Sequence, residues 1–360
     1  MIDHLVYKNR RYHHFWLRDN CQCEQCRHTS GQRLHETWQL NFAVAIEQIN
    51  ATPLGLEILW SGDDRHRSFF SKQFLAQHCY DEESTTAQQE ADSRQLWGTA
   101  LTDNIPCFDY LKVISDDEEK RQWLNSVITY GLAKLINVPI EPGTILKVVG
   151  QFGYVRTTNY GDLFEVLSVK KAVNLAYTPI PLSLHTDNPY RNPVPTLQLL
   201  HCLVKADSGG VTALADGFYA AEILRRDYAE AFKLLASEKV DFKFASENAI
   251  LQHKGCMIEV DPGGQVTAIR INNRSVAAFD LPFAKMLPYY RAYRQFMSIL
   301  QGDDCKVTLT LAAGELILFD NQRVLHGREV QAIGARHLQG CYADRDGLRS
   351  TAALLNALLD

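Results

Sequence analysis

The chain has 360 residues, 46 % hydrophobic and 10 % aromatic, enough apolar material for one large domain and one small one, each with its own core. The formal net charge is −5 and no Lys/Arg-rich run stands out, which argues against nucleic acid or an anionic membrane surface as a partner. No apolar stretch approaches the ~18 residues of a membrane span, and the opening MIDHLVYKNRRYHHFWLRDN lacks the continuous apolar segment of a signal peptide.

Residues 1–80 alternate short apolar runs with polar turns. LEILW (56–60), a polar SGDDRHR turn and SFFSKQFL read as a strand, a turn and a following helix or strand. Within this stretch Cys21, Cys23 and Cys26 form a Cys-x-Cys-x2-Cys cluster; the other six of the nine cysteines are scattered. A secreted disulfide framework would be smaller and denser in cysteine, so a reducing cytoplasm with one metal cluster fits better. Three thiolates so close suit zinc, which takes four N/S ligands in a closed structural site. The fourth ligand must come from elsewhere, with His66, His28 and His35 the candidates.

DEESTTAQQEADSRQ (81–95) has little apolar content and reads as a linker. Beyond it, DDEEKRQWLNSVITYGLAKLINV (116–138) carries Trp123, Leu124, Val127, Ile128 and Leu132 at helical spacing, with Asp116–Glu119 suited to a helix N-terminus. PTLQLLHCLV (195–204) and GELILFDN (314–321) are strand-like, and GFYAAEILRRDYAEAFKLLAS (217–237) reads as helix. Short strands punctuated by Pro and Gly dominate after 177. The expected fold is mainly β with flanking helices, a jelly roll over 96–360 behind a small α+β domain over 1–80.

His185-Thr186-Asp187 is the key tripeptide. In an extended strand, residues i and i+2 face the same way, so one imidazole and one carboxylate can reach a single ion. A second imidazole from a distant strand would complete a 2-His-1-carboxylate face and leave three positions open, as non-haem Fe(II) oxygenases require. His326, following the strand-like run in FDNQRVLHGR, is the candidate. A His-x-Asp tripeptide alone is weak evidence, since a surface pair beside a turn is commoner. Arg336, ten residues on and placed on what would be the next strand, strengthens it: a guanidinium there can pair in a bidentate way with a dicarboxylate whose other end chelates the metal.

Taken together, His185-Thr186-Asp187, PTLQLLHC, Gly209-Gly210-Val211-Thr212 with Asp216, FDNQRVLHGR and RHLQGCYADRD resemble the γ-butyrobetaine hydroxylase branch of the taurine-dioxygenase-like superfamily, over nearly the whole chain. The resemblance implies a double-stranded β-helix, Fe(II) at His185, Asp187 and His326, and 2-oxoglutarate held by Arg336 with Thr212 and Leu200 lining its pocket. It further implies oxidation of 2-oxoglutarate by O2 to succinate and CO2 as the substrate is hydroxylated, with ascorbate as reductant. The family's N-terminal domain carries the same cysteine pattern after WLRDNC and a His in a comparable turn, which favours His66 in Trp60-Ser61-Gly62-Asp63-Asp64-Arg65-His66 as the fourth zinc ligand. Relatives are often homodimers; nothing in this sequence decides the state.

The resemblance also places Tyr160, Phe164 and Tyr177 at the positions of an aromatic cage, whose ring faces attract a quaternary ammonium, and Asn174 at a position contacting the substrate's acid group. Two stretches depart from bacterial γ-butyrobetaine hydroxylases: Asn188-Pro189-Tyr190-Arg191 and Arg270-Ile271-Asn272-Asn273-Arg274-Ser275. Asn188, Tyr190, Arg191, Asn272, Asn273 and Arg274 offer amide, phenol and guanidinium donors to one anion. A phosphonate can use more of these than a carboxylate, and the sequence is similar to the subgroup acting on 2-(trimethylammonio)ethylphosphonate, hydroxylated next to phosphorus. The alternatives are γ-butyrobetaine or trimethyllysine hydroxylation and, in a different class, an inactive zinc-binding scaffold.

Overall fold

The apolar run Leu197–Val204 has the composition of a strand covered on both faces, and seven of its eight residues are buried. The structure, a computed structural model, describes residues 3–62, 65–81, 94–167 and 181–359. The chain divides into two compact units, residues 1–90 and 91–360. The expected linker falls mostly on 82–93, outside the described residues.

In the first unit, β1 (His4–Tyr7) and β2 (Arg10–His13) form a hairpin, while β3 (Ile46–Ala51), β4 (Gly55–Trp60) and β5 (Arg67–Ser71) form an antiparallel sheet. Leu56, Ile58 and Trp60 alternate along β4 into a core with Tyr12, Leu17, Phe70 and Leu75. SFFSKQFL is a strand and then a helix, Lys72–Gln77, because Ser71 accepts a hydrogen bond from the Phe74 N–H at 3.0 Å and caps it.

The second unit contains β6 (Cys107–Asp109), β7 (Leu132–Ile136), β8 (Phe164–Leu167), β9 (Leu182–His185), β10 (Leu197–Val204) and β11 (Thr212–Asp216). Two hairpins follow, β12 (Val240–Ala245) with β13 (Ile250–Gly255), and β14 (Ile258–Val260) with β15 (Val266–Ile269). The last strands are β16 (Lys306–Leu309), β17 (Leu316–Asp320), β18 (Val324–Arg328) and β19 (His337–Ala343). They build a six-stranded sheet, β6-β7-β17-β10-β19-β8, and a four-stranded sheet, β16-β11-β18-β9. Leu200, Ile317, Phe319 and Leu338 of the first share one buried cluster with Leu214, Val307 and Val324 of the second, so the sheets pack as the two walls of a jelly roll. Helices Asp117–Tyr130 and Arg345–Leu359 cover the outer face of the larger sheet through Trp123, Leu124, Leu348 and Leu355.

Three sequence expectations shift. The helix expected across 116–138 stops at Tyr130: Gly131 takes the left-handed conformation (φ +75°) and Leu132 begins β7. The single helix expected over 217–237 is two, Gly217–Asp227 and Ala229–Ser237, broken at the non-helical Tyr228. Arg336 lies one residue before β19 rather than on it.

Candidate active site

His185 ends β9 and His326 sits in the middle of β18; the two strands are antiparallel and these residues are direct partners across the ladder. Their rings therefore approach to 4.4 Å between centroids. Gly327 permits the close approach, since a Cβ there would lie 2.5 Å from the Leu182 carbonyl oxygen. Asp187 completes the set, with Oδ1 3.4 Å from His185 Nε2 and Oδ2 3.8 Å from His326 Nε2. One donor atom from each of the three lies within 4.8 Å of the others.

The i, i+2 argument needs amending, because the strand stops at His185 and Asp187 lies in a bend. Side-chain hydrogen bonds hold that bend in place. Asn321 accepts from the Asp187 N–H at 2.7 Å and donates to the carbonyls of Asp187 (3.0 Å) and Pro195 (2.9 Å). Asn272 donates to the Thr186 carbonyl at 3.2 Å, and Thr186 N–H donates to Ile271 O at 2.7 Å. The amide of Asn272 is thus engaged with backbone, its Oδ1 accepting from Arg274 N–H at 3.2 Å.

Protonation suits metal binding. His185 Nδ1 faces the Ser183 carbonyl at 2.9 Å, which places the proton on Nδ1 and leaves Nε2 free. Burial, with the neighbouring His185, lowers His326 to about 3 and keeps it neutral. Burial alone would raise the Asp187 carboxyl; the Tyr342 hydroxyl, which donates to Oδ2 at 2.9 Å, opposes that shift and favours the ionised form.

These three side chains line a cavity with about 560 Å³ of empty space, part of it open to solvent. Phe164, Gln198, Leu200, Thr212, Arg328, Arg336 and Leu338 form the rest of its wall. Leu200, Thr212 and Arg336, the residues expected to hold the co-substrate, thus share one cavity wall with His185, Asp187 and His326. Burial lowers Arg336 from its ordinary value, and no carboxylate among the described residues pairs with it. A group of rings continues from Phe164 of that wall: Tyr160 lies 6.4 Å from Phe164 and 5.8 Å from Phe244, Tyr190 5.1 Å from Phe244, and Phe164 5.1 Å from Tyr342. The Tyr160 and Tyr190 hydroxyls are 3.1 Å apart. Tyr177 and Asn174 lie outside the described residues.

Of the expected anion-facing groups, Asn188 is 3 % exposed with both amide atoms unpartnered, and it takes φ +55°. Arg191 binds Asn159 Oδ1 while its Nε is buried without a partner. Asn273 is exposed and accepts from the Tyr293 hydroxyl at 3.2 Å. Arg274 is exposed, near enough for its charge to act on His326 and Arg328.

In the first unit, His66 Nε2 lies 3.3, 3.6 and 3.4 Å from the sulfurs of Cys21, Cys23 and Cys26. Tetrahedral zinc with Zn–S near 2.3 Å and Zn–N near 2.0 Å sets that edge at about 3.5 Å, so the donor set fits the ion. The competitors are engaged elsewhere: His35 with Asp19 at 3.3 Å, His28 with Ser30 at 2.9 Å.

Residues 91–342 match the taurine catabolism dioxygenase TauD, TfdA family, and residues 6–94 match the N-terminal region of gamma-butyrobetaine hydroxylase-like proteins. The chain belongs to the TauD, TfdA dioxygenase family. This dioxygenase is 36 % identical to the gamma-butyrobetaine dioxygenase of Pseudomonas sp. (strain AK-1), over 96 % of this chain and 90 % of that one. Against the gamma-butyrobetaine dioxygenase of Homo sapiens it is 32 % identical (94 % and 90 % covered), and against the trimethyllysine dioxygenase of Meyerozyma guilliermondii 28 % (96 % and 90 %). The crystal structure of AAD-2 in complex with Mn(II) and N-oxalylglycine gives a TM-score of 0.50 at 13 % identity, covering 63 % of this chain and 90 % of that one, a likeness of fold.

This dioxygenase therefore depends on Fe(II) and 2-oxoglutarate, and is an enzyme rather than a scaffold. No helix among the described residues is long and apolar enough to cross a membrane. Sequence reasoning missed Tyr342, Phe244, Gln198 and Asn321. Tyr342 was accessible, since it stands inside RHLQGCYADRD and shares a strand face with Leu338. Phe244 arrives from a distant hairpin and left no local signal.

Proposed function

We propose that this dioxygenase hydroxylates a small trimethylammonium zwitterion, 2-(trimethylammonio)ethylphosphonate, at the carbon next to phosphorus. His185, Asp187 and His326 hold Fe(II), Arg336 with Thr212 and Leu200 holds 2-oxoglutarate, and Cys21, Cys23, Cys26 and His66 hold a structural zinc. With O2 as the oxidant, bound Fe(II) and 2-oxoglutarate would turn a C–H bond into C–OH: one oxygen atom goes to the substrate and the other to succinate as CO2 leaves.

The protein's own part is placement. Ser183 fixes the tautomer of His185, Tyr342 orients the Asp187 carboxylate, and Asn321 fixes the backbone carrying it. Arg336 offers a desolvated guanidinium to the far carboxylate of the co-substrate. Leu200, Leu338 and Phe164 keep the cavity wall apolar and exclude water. The rings of Tyr160, Phe164, Tyr190, Phe244 and Tyr342 give a quaternary ammonium a multi-sided aromatic surface.

The observation that carries the phosphonate choice is the unpartnered, buried amide of Asn188 next to Asp187, together with the Arg191 guanidinium. Both call for an anion with several acceptor oxygens. The 36 % identical gamma-butyrobetaine dioxygenase favours a second reading, γ-butyrobetaine as substrate. Incubation with Fe(II), 2-oxoglutarate, ascorbate and each zwitterion in turn separates them. Turnover of γ-butyrobetaine with none of the phosphonate overturns the first choice.

A further inference from the structure

Gln198 lies on β10, is 2 % exposed, and lines the cavity that also holds His185, Asp187, His326 and Arg336. Its Oε1 is buried without a hydrogen-bond partner. A buried amide left unpaired costs a fold stability, so packing alone does not account for one here. Its register is specific. Gln198 is the direct cross-strand partner of Phe319 on one side and of Tyr342 on the other, and such partners project from the same face of a sheet. Phe319 packs against the His326 ring at 5.0 Å, and the Tyr342 hydroxyl donates to Asp187. The row Phe319–Gln198–Tyr342 therefore runs beneath the metal ligands. Both flanks of that row engage one of those side chains, and its centre is an amide whose Oε1 has no hydrogen-bond partner.

Resting on the reading of this cavity as the Fe(II) and 2-oxoglutarate site, we infer that Gln198 binds the co-substrate, donating a hydrogen bond to an oxygen at the metal-facing end while Arg336 holds the other end. 2-Oxoglutarate offers oxygen acceptors along its length. A carboxamide can exchange Oε1 for Nε2 by turning half a revolution about its last bond, in the same volume. The buried unpaired atom then becomes a donor when an acceptor arrives. A neutral donor also adds no positive charge beside the metal, in a wall that already carries Arg328 and Arg336.

Gln198→Leu, close in size, tests this with two readouts of opposite sign. In anaerobic titration of Fe(II)-loaded protein with 2-oxoglutarate, followed by the visible charge-transfer band, the Kd rises about tenfold or more. In the metal-free protein the same change leaves Tm equal or higher, since it removes an unpaired polar group. Gln198→Glu binds 2-oxoglutarate more weakly still, through like-charge repulsion with the dicarboxylate. An unchanged Kd, an effect on substrate KM alone, or a metal-free Gln198→Leu protein that melts lower or does not fold each overturns the inference. Wild-type protein titrated alongside separates the levels: a wild-type band that Gln198→Leu reproduces sinks only the role of Gln198, whereas no saturable wild-type band sinks the reading of the cavity and this inference with it.

Discussion

Asp187 faces two imidazoles and accepts a hydrogen bond from the Tyr342 hydroxyl, which favours its ionised form despite burial. Asp187→Ala is expected to abolish succinate formation while circular dichroism and Tm remain near wild type; near-full activity would refute the iron assignment. Tyr342→Phe removes an orienting hydrogen bond from a ligand, and second-shell losses of this kind cost roughly 10–100-fold in metal affinity. Competition against a metallochromic chelator measures it, and wild-type Fe(II) affinity would remove Tyr342 from the site. The candidate ligands that the structure brings together were singled out in the sequence, because His-x-Asp, a later His and an Arg ten residues on form an ordered set. The groups that orient them were not. Gln198 lies on β10 and Asn321 in the turn that follows β17; no local pattern reveals the register of these strands, and the contribution of both residues depends on which strand lies beside which.

Gly327 shows how an element, rather than a side chain, sets the distance between ligands. A Cβ there would press on Leu182 O at 2.5 Å, so Gly327→Ala should force β9 and β18 apart. We expect a loss of about 1–3 kcal/mol and substoichiometric iron on metal analysis, against full iron if the strands absorb the methyl group. At the start of helix Asp117–Tyr130, the Arg121 guanidinium, with Gln122, holds the exposed Glu118 carboxyl down at about 2. A carboxyl lowered in the folded state contributes stability above its unfolded value near 4.5, lost as pH falls toward 2. The Tm deficit of Glu118→Gln should therefore be present at pH 6 and vanish near pH 2; a deficit independent of pH would assign it to something other than charge. Helix and strand identities were readable where periodicity was strong, in LEILW and PTLQLLHCLV. Boundaries were less so, because Leu132 fits the helical spacing that precedes it and only Gly131, by turning left-handed, hands it to a strand.

Across the whole molecule, two metal-ligand sets occupy two units of very different size. The smaller has a core of few residues around Trp60 and Phe70, so its zinc set should carry much of its stability. Cys23→Ser is expected to lower bound zinc, measured by colorimetric release, and to lower the first thermal transition without directly removing turnover; unchanged zinc content would show that the cluster binds none. The larger unit relies on its double-walled core, with one exception at its margin. Strand β9 has four residues and, among the described residues, pairs within its sheet only with β18. An ion shared by His185 and His326 would rivet this border strand to the interior, so the amides of 182–185 should exchange with deuterium first when iron is withdrawn. Because the two imidazoles occupy the same rung, a chain that pairs these strands one step out of place turns a histidine away and cannot keep its iron. Iron content then reports whether a given molecule has folded in the correct alignment.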